Sequence, residues 1–193
     1  MRLLIELSSL DNNPITIPIH YNHLVQSAIY GALDNDFADF LHDTGFEGGG
    51  RRFKLFTFSR LTGTYRFITE TAEITYLSPV KLVVSSPVDK FCESLVNGLL
   101  TKDSLRIGPV TLRLQGVEVD RPVVVTDKAS VHIETEIRVK TLSPVVVYST
   151  LLRPEGSKYT CYFQPGEGDF SRLAKENLYK KHQALYGCTP PEG

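Results

Sequence analysis

The chain has 193 residues, 21 basic and 22 acidic, for a formal net charge of −1, and its 41% hydrophobic and 22% charged content is that of an ordinary globular protein with enough length to bury a core. No run approaches the ~18 apolar residues of a membrane span, and Met1-Arg2-Leu3-Leu4-Ile5-Glu6 reads as too short and too quickly charged for a signal peptide. Three widely spaced cysteines, Cys92, Cys161 and Cys188, point to a reducing cytoplasm, and the balanced charge lacks the basic excess of a sequence-independent nucleic-acid binder.

Leu3, Ile5 and Leu7 alternate with polar neighbours and predict an opening strand. A turn at Asp11-Asn12-Asn13-Pro14 and an extended Ile15–Ile19 follow. With Asn22 as its N-cap, a helix is expected to bury Leu24, Val25, Ala28, Ile29, Ala32 and Leu33. A second short helix, Asp36 to Asp43, would bury Phe37, Phe40 and Leu41 and stop at Gly45. A flexible Gly48-Gly49-Gly50 then leads into the aromatic stretch Arg51–Ser59, expected as one strand.

Thr64–Thr69 and Glu73–Leu77 read as a hairpin, and Lys81–Ser85 as a strand running into Ser86-Pro87, the expected cap and first-turn proline of the next helix. That helix has the cleanest amphipathic stripe: Val88, Phe91, Cys92, Leu95, Val96 and Leu99. After Gly108-Pro109, Val110, Leu112 and Leu114 alternate again, with Gly116 expected in a bulge. The order strand, helix, strand, strand, helix, strand is that of an α+β, ferredoxin-like (RRM-like) βαββαβ domain, with its helices on one face of an antiparallel sheet. Its expected span is residues 1–122.

Asp120–Ser130 reads as a linker. A partial second ferredoxin-like domain is expected over 131–193: Glu134–Lys140, Val145–Ser149 and Lys158–Phe163 as strands, then a helix from Asp169 with Phe170, Leu173, Ala174 and Leu178 inward, closed by Gly187. Two strands and a helix are wanting, so the second domain reads as incomplete.

Helical-wheel arithmetic turns two chemical side chains outward. At 100° per residue Tyr30 lies about 150° from the apolar stripe of the first helix, and His42 lies about as far round the second. The plain alternative for His42 is a solvated histidine at a helix C-terminus, where the dipole favours its cation. Charge is also segregated: Arg51, Arg52, Lys54, Arg60 and Arg66 fall in sixteen residues without an acid, interleaved with Phe53, Phe56, Phe58, Tyr65 and Phe67, whereas Asp34, Asp36, Asp39, Asp43 and Glu47 precede them. Basic side chains among aromatics suit RNA, phosphates pairing with the cations and bases stacking on the rings. The alternative is a set of core aromatics flanked by solvated arginines. No nucleotide phosphate loop, CxxC pair or nucleophile elbow occurs, and His20 and His23 have no neighbouring cysteine to complete a metal site.

Six segments in order resemble CRISPR-associated endoribonucleases that cut the repeat RNA of CRISPR precursor transcripts, within the repeat-associated mysterious protein superfamily. They are Ile17–His23, Ala28-Ile29-Tyr30, Phe40-Leu41-His42-Asp43, Phe53–Ser59, Leu95–Leu100 and Thr141–Val145. The resemblance implies a catalytic set of Tyr30, His42 and Lys54 and no metal or other cofactor, while Arg51, Arg52, Arg60 and Arg66 of the basic segment are the candidate RNA contacts. It implies transesterification: the ribose 2′-OH attacks the adjacent phosphate, leaving a 2′,3′-cyclic phosphate and a 5′-OH. Histidine suits that chemistry because its reference pKa near 6.5 makes both protonation states accessible. Asp43, next in sequence, would favour the imidazolium if the side chains approach. The implied partner is CRISPR repeat RNA, precursor and processed, with other effector subunits and a homodimer as further options, and no membrane. The glycine-rich loop that relatives carry late in the second domain is absent, Gly166-Glu167-Gly168 lying before the helix, which implies either a fragment or an unusual short member. Two other classes stay open here: a non-cutting RNA-binding subunit of an effector complex, and a ferredoxin-like module with no RNA role.

Overall fold

A computed structural model describes residues 1–11, 13–120 and 145–190. The chain divides into two compact units, Met1–Pro122 and Val123–Gly193. The linker, the strand at Glu134–Lys140, the segment Leu142-Ser143-Pro144 and Asn12 of the first turn lie outside the described residues.

The first unit runs β1 (Arg2–Ser9), β2 (Ile15–Pro18), α1 (Asn22–Ala32), α2 (Asn35–Asp39) continued by a π-helical turn (Phe40–Thr44), β3 (Phe46–Gly48), β4 (Arg51–Phe53), β5 (Thr57–Phe58), β6 (Tyr65–Ile68), β7 (Glu73–Tyr76), β8 (Val80–Ser85), α3 (Asp89–Lys102), β9 (Ser104–Ile107) and β10 (Val110–Asp120). Its main sheet has the order β5-β8-β1-β10-β9, antiparallel throughout. Taken without the edge strand β9, this is the ferredoxin-like order, with α1 following the first strand and α3 the third. Strand β9 carries too short an alternation to stand out in the sequence, and it forms because Gly108 (φ +59) turns Ile107 back onto Val110. The register between β1 and β10 shifts where Glu6 pairs with Gly116 and Leu7 with Leu114, so Gln115 is the extra residue of the bulge expected at Gly116. The core is Leu3, Ile5 and Leu7 of β1 and Leu82 and Val84 of β8 against Val25 and Ile29 of α1 and Phe91, Leu95 and Leu99 of α3, each at most 1% exposed.

One face of α3 holds the end of α1. Gly98 meets Ala32 so closely that a Cβ there would lie 1.7 Å from the Ala32 carbonyl oxygen. One turn earlier Ser94 accepts the Asp34 backbone N–H at 2.8 Å, and one turn later the Lys102 ammonium donates to the Gly31 carbonyl. Three residues spaced by four therefore fix the junction from which α2 departs.

Two caps differ from expectation. Helix α1 is preceded by Tyr21, without a side-chain cap, and Asn22 is its first helical residue. Helix α3 begins at Asp89 after Val88; Ser86 accepts the Val88 N–H and donates its hydroxyl to the Leu55 carbonyl at 2.8 Å. The Ser86 side chain is spent on tying down a neighbouring strand break and not on capping.

A second sheet, β2-β7-β6, contains the expected hairpin. It is pinned to the body by a buried ring of hydrogen bonds. The Leu61 N–H donates to the Tyr21 hydroxyl (3.1 Å), the Tyr21 and Tyr76 hydroxyls meet at 3.1 Å, and Tyr76 donates to the Leu61 carbonyl (3.4 Å). Burial, then the Tyr21 hydrogen bond, push the Tyr76 phenol well above its ordinary value.

In the second unit β11 (Val147–Leu152) and β12 (Lys158–Phe163) form a hairpin, followed by α4 (Gly168–Tyr186), which ends on Gly187 at φ +70. Phe170, Leu173 and Ala174 are half-buried as expected, but Leu178 is 64% exposed. At 100° per residue Leu178 lies at the rim of the face those three define, and Asn177 falls nearer its centre. Among the described residues no helix is long and apolar enough to cross a membrane, and no group of three or more His, Cys, Asp or Glu could hold a metal ion.

Candidate functional site

The site forms where α2 stops. Asp34 caps α2 by accepting the Phe37 N–H, and Phe37 is buried while Phe40 stacks on it at 5.9 Å. From Phe40 the helix widens to π winding, and the Gly45 N–H closes the last turn on the Phe40 carbonyl at 2.7 Å. The helix expected to 43 is thus α only to Asp39. Gly45 stops it as expected, at φ +67, where a Cβ would also meet the Phe53 carbonyl at 2.7 Å. Side-chain bulk is therefore excluded at the point where this turn touches the next strand.

Gly48-Gly49-Gly50 is a tight hairpin turn and not a loose segment. Gly49 and Gly50 both have positive φ (55° and 71°), and Gly48 pairs with Arg51. The hairpin folds Arg52 and Lys54 back over the helix end. The Lys54 ammonium donates to the His42 carbonyl at 2.7 Å, and the Arg52 guanidinium donates to the Asp43 carbonyl at 3.0 Å. Both cations thereby satisfy carbonyls left open at a helix C-terminus.

Lys54 does not continue a strand. The stretch expected as one strand from Arg51 to Ser59 is broken between β4 and β5, where Leu55 takes φ +52 and its carbonyl is held by buried Ser86. The physical reason is that β4 pairs with β3 in a small hairpin while β5 pairs with β8 in the main sheet. The chain must change sheets at Lys54–Phe56.

The His42 side chain is 81% exposed, with Nδ1 2.7 Å from an Asp43 carboxylate oxygen. The two side chains therefore approach, and the contact holds one ring nitrogen while Nε2 makes no hydrogen bond among the described residues. Tyr30 is different. It is half-buried on α1, its ring edge-to-face with Phe56 at 5.8 Å, and burial raises its phenol above the ordinary value. The wheel turned it outward, but the strand break brings Phe56 against that side of the helix. Tyr30 makes no hydrogen bond to His42 or Lys54 among the described residues; its link to them runs through Phe56, two residues beyond Lys54.

The structure therefore brings His42, Lys54, Asp43 and Arg52 together, sets Tyr30 beside the strand break, and leaves Arg51, Arg60 and Arg66 exposed. The aromatics divide. Phe56 stacks on Phe91 at 4.7 Å and on Phe58 at 6.5 Å, as core residues do, whereas Tyr65 and Phe67 are each 54% exposed. The contact of Ser86 with the Leu55 carbonyl and the capping role of Arg52 had no signal in the sequence, since they depend on partners thirty-one and nine residues away.

Comparison with known proteins is consistent along the chain. Residues 16–118 match the family model described as "CRISPR-associated protein Cas6, N-terminal", and residues 126–192 match "CRISPR associated protein Cas6, C-terminal". A curated relative from Methanocaldococcus jannaschii, CRISPR-associated endoribonuclease Cas6 1, is 29% identical over 189 residues, which cover 96% of this chain and 67% of the relative. CRISPR-associated endoribonuclease Cas6 of Pyrococcus furiosus is 28% identical over 202 residues, covering 99% and 67%. Among solved structures, a CRISPR associated protein Cas6 superposes with a TM-score of 0.67 at 27% identity, over 98% of this chain and 73% of that one. Two others share the fold at lower identity: a Cas6-related protein from Pyrococcus furiosus (TM-score 0.69, 21%, 98% and 72% covered) and a RAMP protein described as binding different RNA substrates (0.66, 20%, 98% and 73% covered). Matching family models over both units and a ferredoxin-like strand order agree that this chain belongs to the Cas6 family of CRISPR-associated proteins.

Proposed function

We propose that this chain is an endoribonuclease that processes CRISPR RNA, cutting the precursor within its repeats. The names of its relatives support the class of activity. The observation that carries the assignment to particular residues is the 2.7 Å hydrogen bond from Lys54 to the His42 carbonyl, which anchors an ammonium on the backbone of the residue whose imidazole is exposed.

In this reading the 2′-OH of one ribose attacks the adjacent phosphorus, the bond to the 5′-oxygen breaks, and a 2′,3′-cyclic phosphate and a 5′-OH result. The attacking hydroxyl restricts the reaction to RNA. His42 gives its Nε2 proton to the departing 5′-oxygen while Asp43 holds Nδ1 and orients the ring, and the proton released by the 2′-OH passes to solvent, from which Nε2 is reprotonated. One of the three donors of Lys54 is used on the His42 carbonyl, so two remain for the oxygens of the pentacovalent phosphate. Tyr30, with its phenol raised by burial, stays protonated at neutral pH and donates a hydrogen bond instead of acting as base. Arg51, Arg52, Arg60 and Arg66 contact the RNA backbone. The partner is CRISPR repeat RNA.

Labelled repeat RNA incubated in EDTA with the parent chain and with His42→Ala tests this. Cleavage reduced about 10²–10⁴-fold in the variant, with binding retained, supports it. Equal cleavage by both proteins removes His42 from the reaction. A single 2′-deoxy nucleotide at the cut position should stop cleavage altogether.

A further inference from the structure

Strand β6 is the free edge of the three-stranded sheet, and it is unusually aromatic for an edge. Tyr65 and Phe67, two residues apart, lie on one face of the strand. Their rings meet edge-to-face with centroids 5.2 Å apart, and Tyr65 leans on buried Tyr76 at 5.7 Å. Each remains 54% exposed. The backing is rigid, because Tyr76 belongs to the buried hydroxyl ring that also binds both backbone groups of Leu61.

That ring places Arg60 at the same end of the sheet. Its charge is close enough to Tyr76 to favour the phenolate, opposing the effect of burial. Arg66 projects from the opposite face of β6, and neither arginine has a carboxylate partner within 4.0 Å among the described residues. From Gly48 to Thr69 there is no acid at all. Negative charge begins at the other end of the hairpin, where Glu70 lies in the turn and Glu73 accepts the Thr71 hydroxyl.

We propose that Tyr65 and Phe67 are a stacking platform for unpaired RNA bases, with Arg60 taking the phosphate beside them and Arg66 meeting the strand as it crosses the edge of β6. Aromatic faces accept any base, and backbone phosphates need the cations, so one element serves a single-stranded segment of the substrate. The acidic end at Glu70 and Glu73 sets its direction, since RNA leaves over the Arg60 end. The platform rests on the reading of this chain as an RNA-cutting enzyme, and it adds a binding subsite on a sheet to which neither His42 nor Lys54 belongs.

The test uses the full chain and fluorescein-labelled 12-nucleotide oligoadenylate and oligouridylate RNA, with repeat RNA cleavage measured alongside. Tyr65→Val and Phe67→Val keep strand propensity but remove the π face, and each should raise Kd about tenfold. Tyr65→Phe should bind as the parent does. The slope of log Kd against log salt should be unchanged in the valine variants and should fall by about one in Arg60→Ala. At saturating RNA the valine variants should cut at the parental kcat with a raised KM. If Tyr65→Val loses its fold by circular dichroism, Phe67→Val decides alone, because its ring is not packed on Tyr76. Valine variants that match the parent in affinity and KM overturn the platform while leaving the enzyme reading intact. A parent that neither binds nor cuts RNA overturns both. A parental dimer that the valine variants dissociate, with RNA affinity unmoved, would assign the patch to a second copy of the chain and overturn the proposal.

Discussion

The crossing of α1 and α3 and the turn at Phe40–Gly45, joined by the short helix α2, are built oppositely. At the crossing, Gly98 presses on the Ala32 backbone, and Ile29 and Leu95 are at most 1% exposed. At the turn, His42 and Asp43 are 81% and 74% exposed, and they are held by hydrogen bonds to backbone and to each other and not by burial. Precision at the site is thus borrowed from the crossing, through the Ser94 contact that anchors the start of α2. Substitutions at the crossing should move stability first and reach the chemistry only through the Ser94 contact, whereas those at the turn should change the chemistry and leave stability nearly alone.

The largest effect expected is on rate. His42→Ala should slow repeat cleavage about 10²–10⁴-fold while the unfolding free energy stays within about 0.5 kcal/mol of the parent, as exposed substitutions usually do. A large loss of stability would mean that the turn is structural after all.

Next comes a pair of glycines on the two crossing helices. Ala is normally preferred to Gly in a helix by about 1 kcal/mol. Gly31→Ala should show that gain, since a Cβ there meets nothing within 4 Å. Gly98→Ala should invert it and cost about 3 kcal/mol, because the Cβ would fall 1.7 Å from a backbone oxygen and the helices must separate. Denaturant unfolding of both variants measures the difference, and two gains would refute the close crossing.

Ser86→Ala tests how the break before β5 is held. It strands the Leu55 carbonyl in a buried position and should cost about 1–3 kcal/mol. Cleavage should fall as well, because the same break sets Lys54. Unchanged cleavage in a destabilised variant would separate the two.

The smallest effect is a slope. The Tyr76 phenol is raised in the folded state, so its contribution is whole below about pH 10, where the unfolded tyrosine titrates. Above that the unfolded chain releases a proton that the folded chain keeps, and stability falls as pH rises. The buried Cys92 thiol, raised chiefly by desolvation, acts in the same direction from about pH 9. Tyr76→Phe should flatten the decline above pH 10 in unfolding measured at a series of pH values, at the cost of the hydrogen bonds to Tyr21 and Leu61.

Much of the fold was legible because it rests on local periodicity. The alternation of Leu3, Ile5 and Leu7 and the stripe from Phe91 to Leu99 each name a buried face without reference to the rest of the chain. Gly45 ended its helix because the residue type carries the backbone preference, at φ +67, whereas the bulge expected at Gly116 has Gln115 as its extra residue. His42 was turned outward correctly, although the winding around it is π. Tyr30 was not, since a wheel describes one helix and cannot know that Phe56 will be brought against it.

By itself the sequence determined the βαββαβ order, the faces of its helices, and the residues that mark the family. Tertiary structure decided what those residues touch. The chain must leave one hairpin and join another sheet between Phe53 and Thr57, and that change of partner breaks an apparently continuous strand, swings Lys54 onto the helix end and presses Phe56 against Tyr30. It also divided one aromatic run between core and surface, packing Phe56 and Phe58 partly buried against the core while leaving Tyr65 and Phe67 in solvent. Strand pairing is a contact between distant segments, so no local pattern within Arg51–Phe67 could announce it.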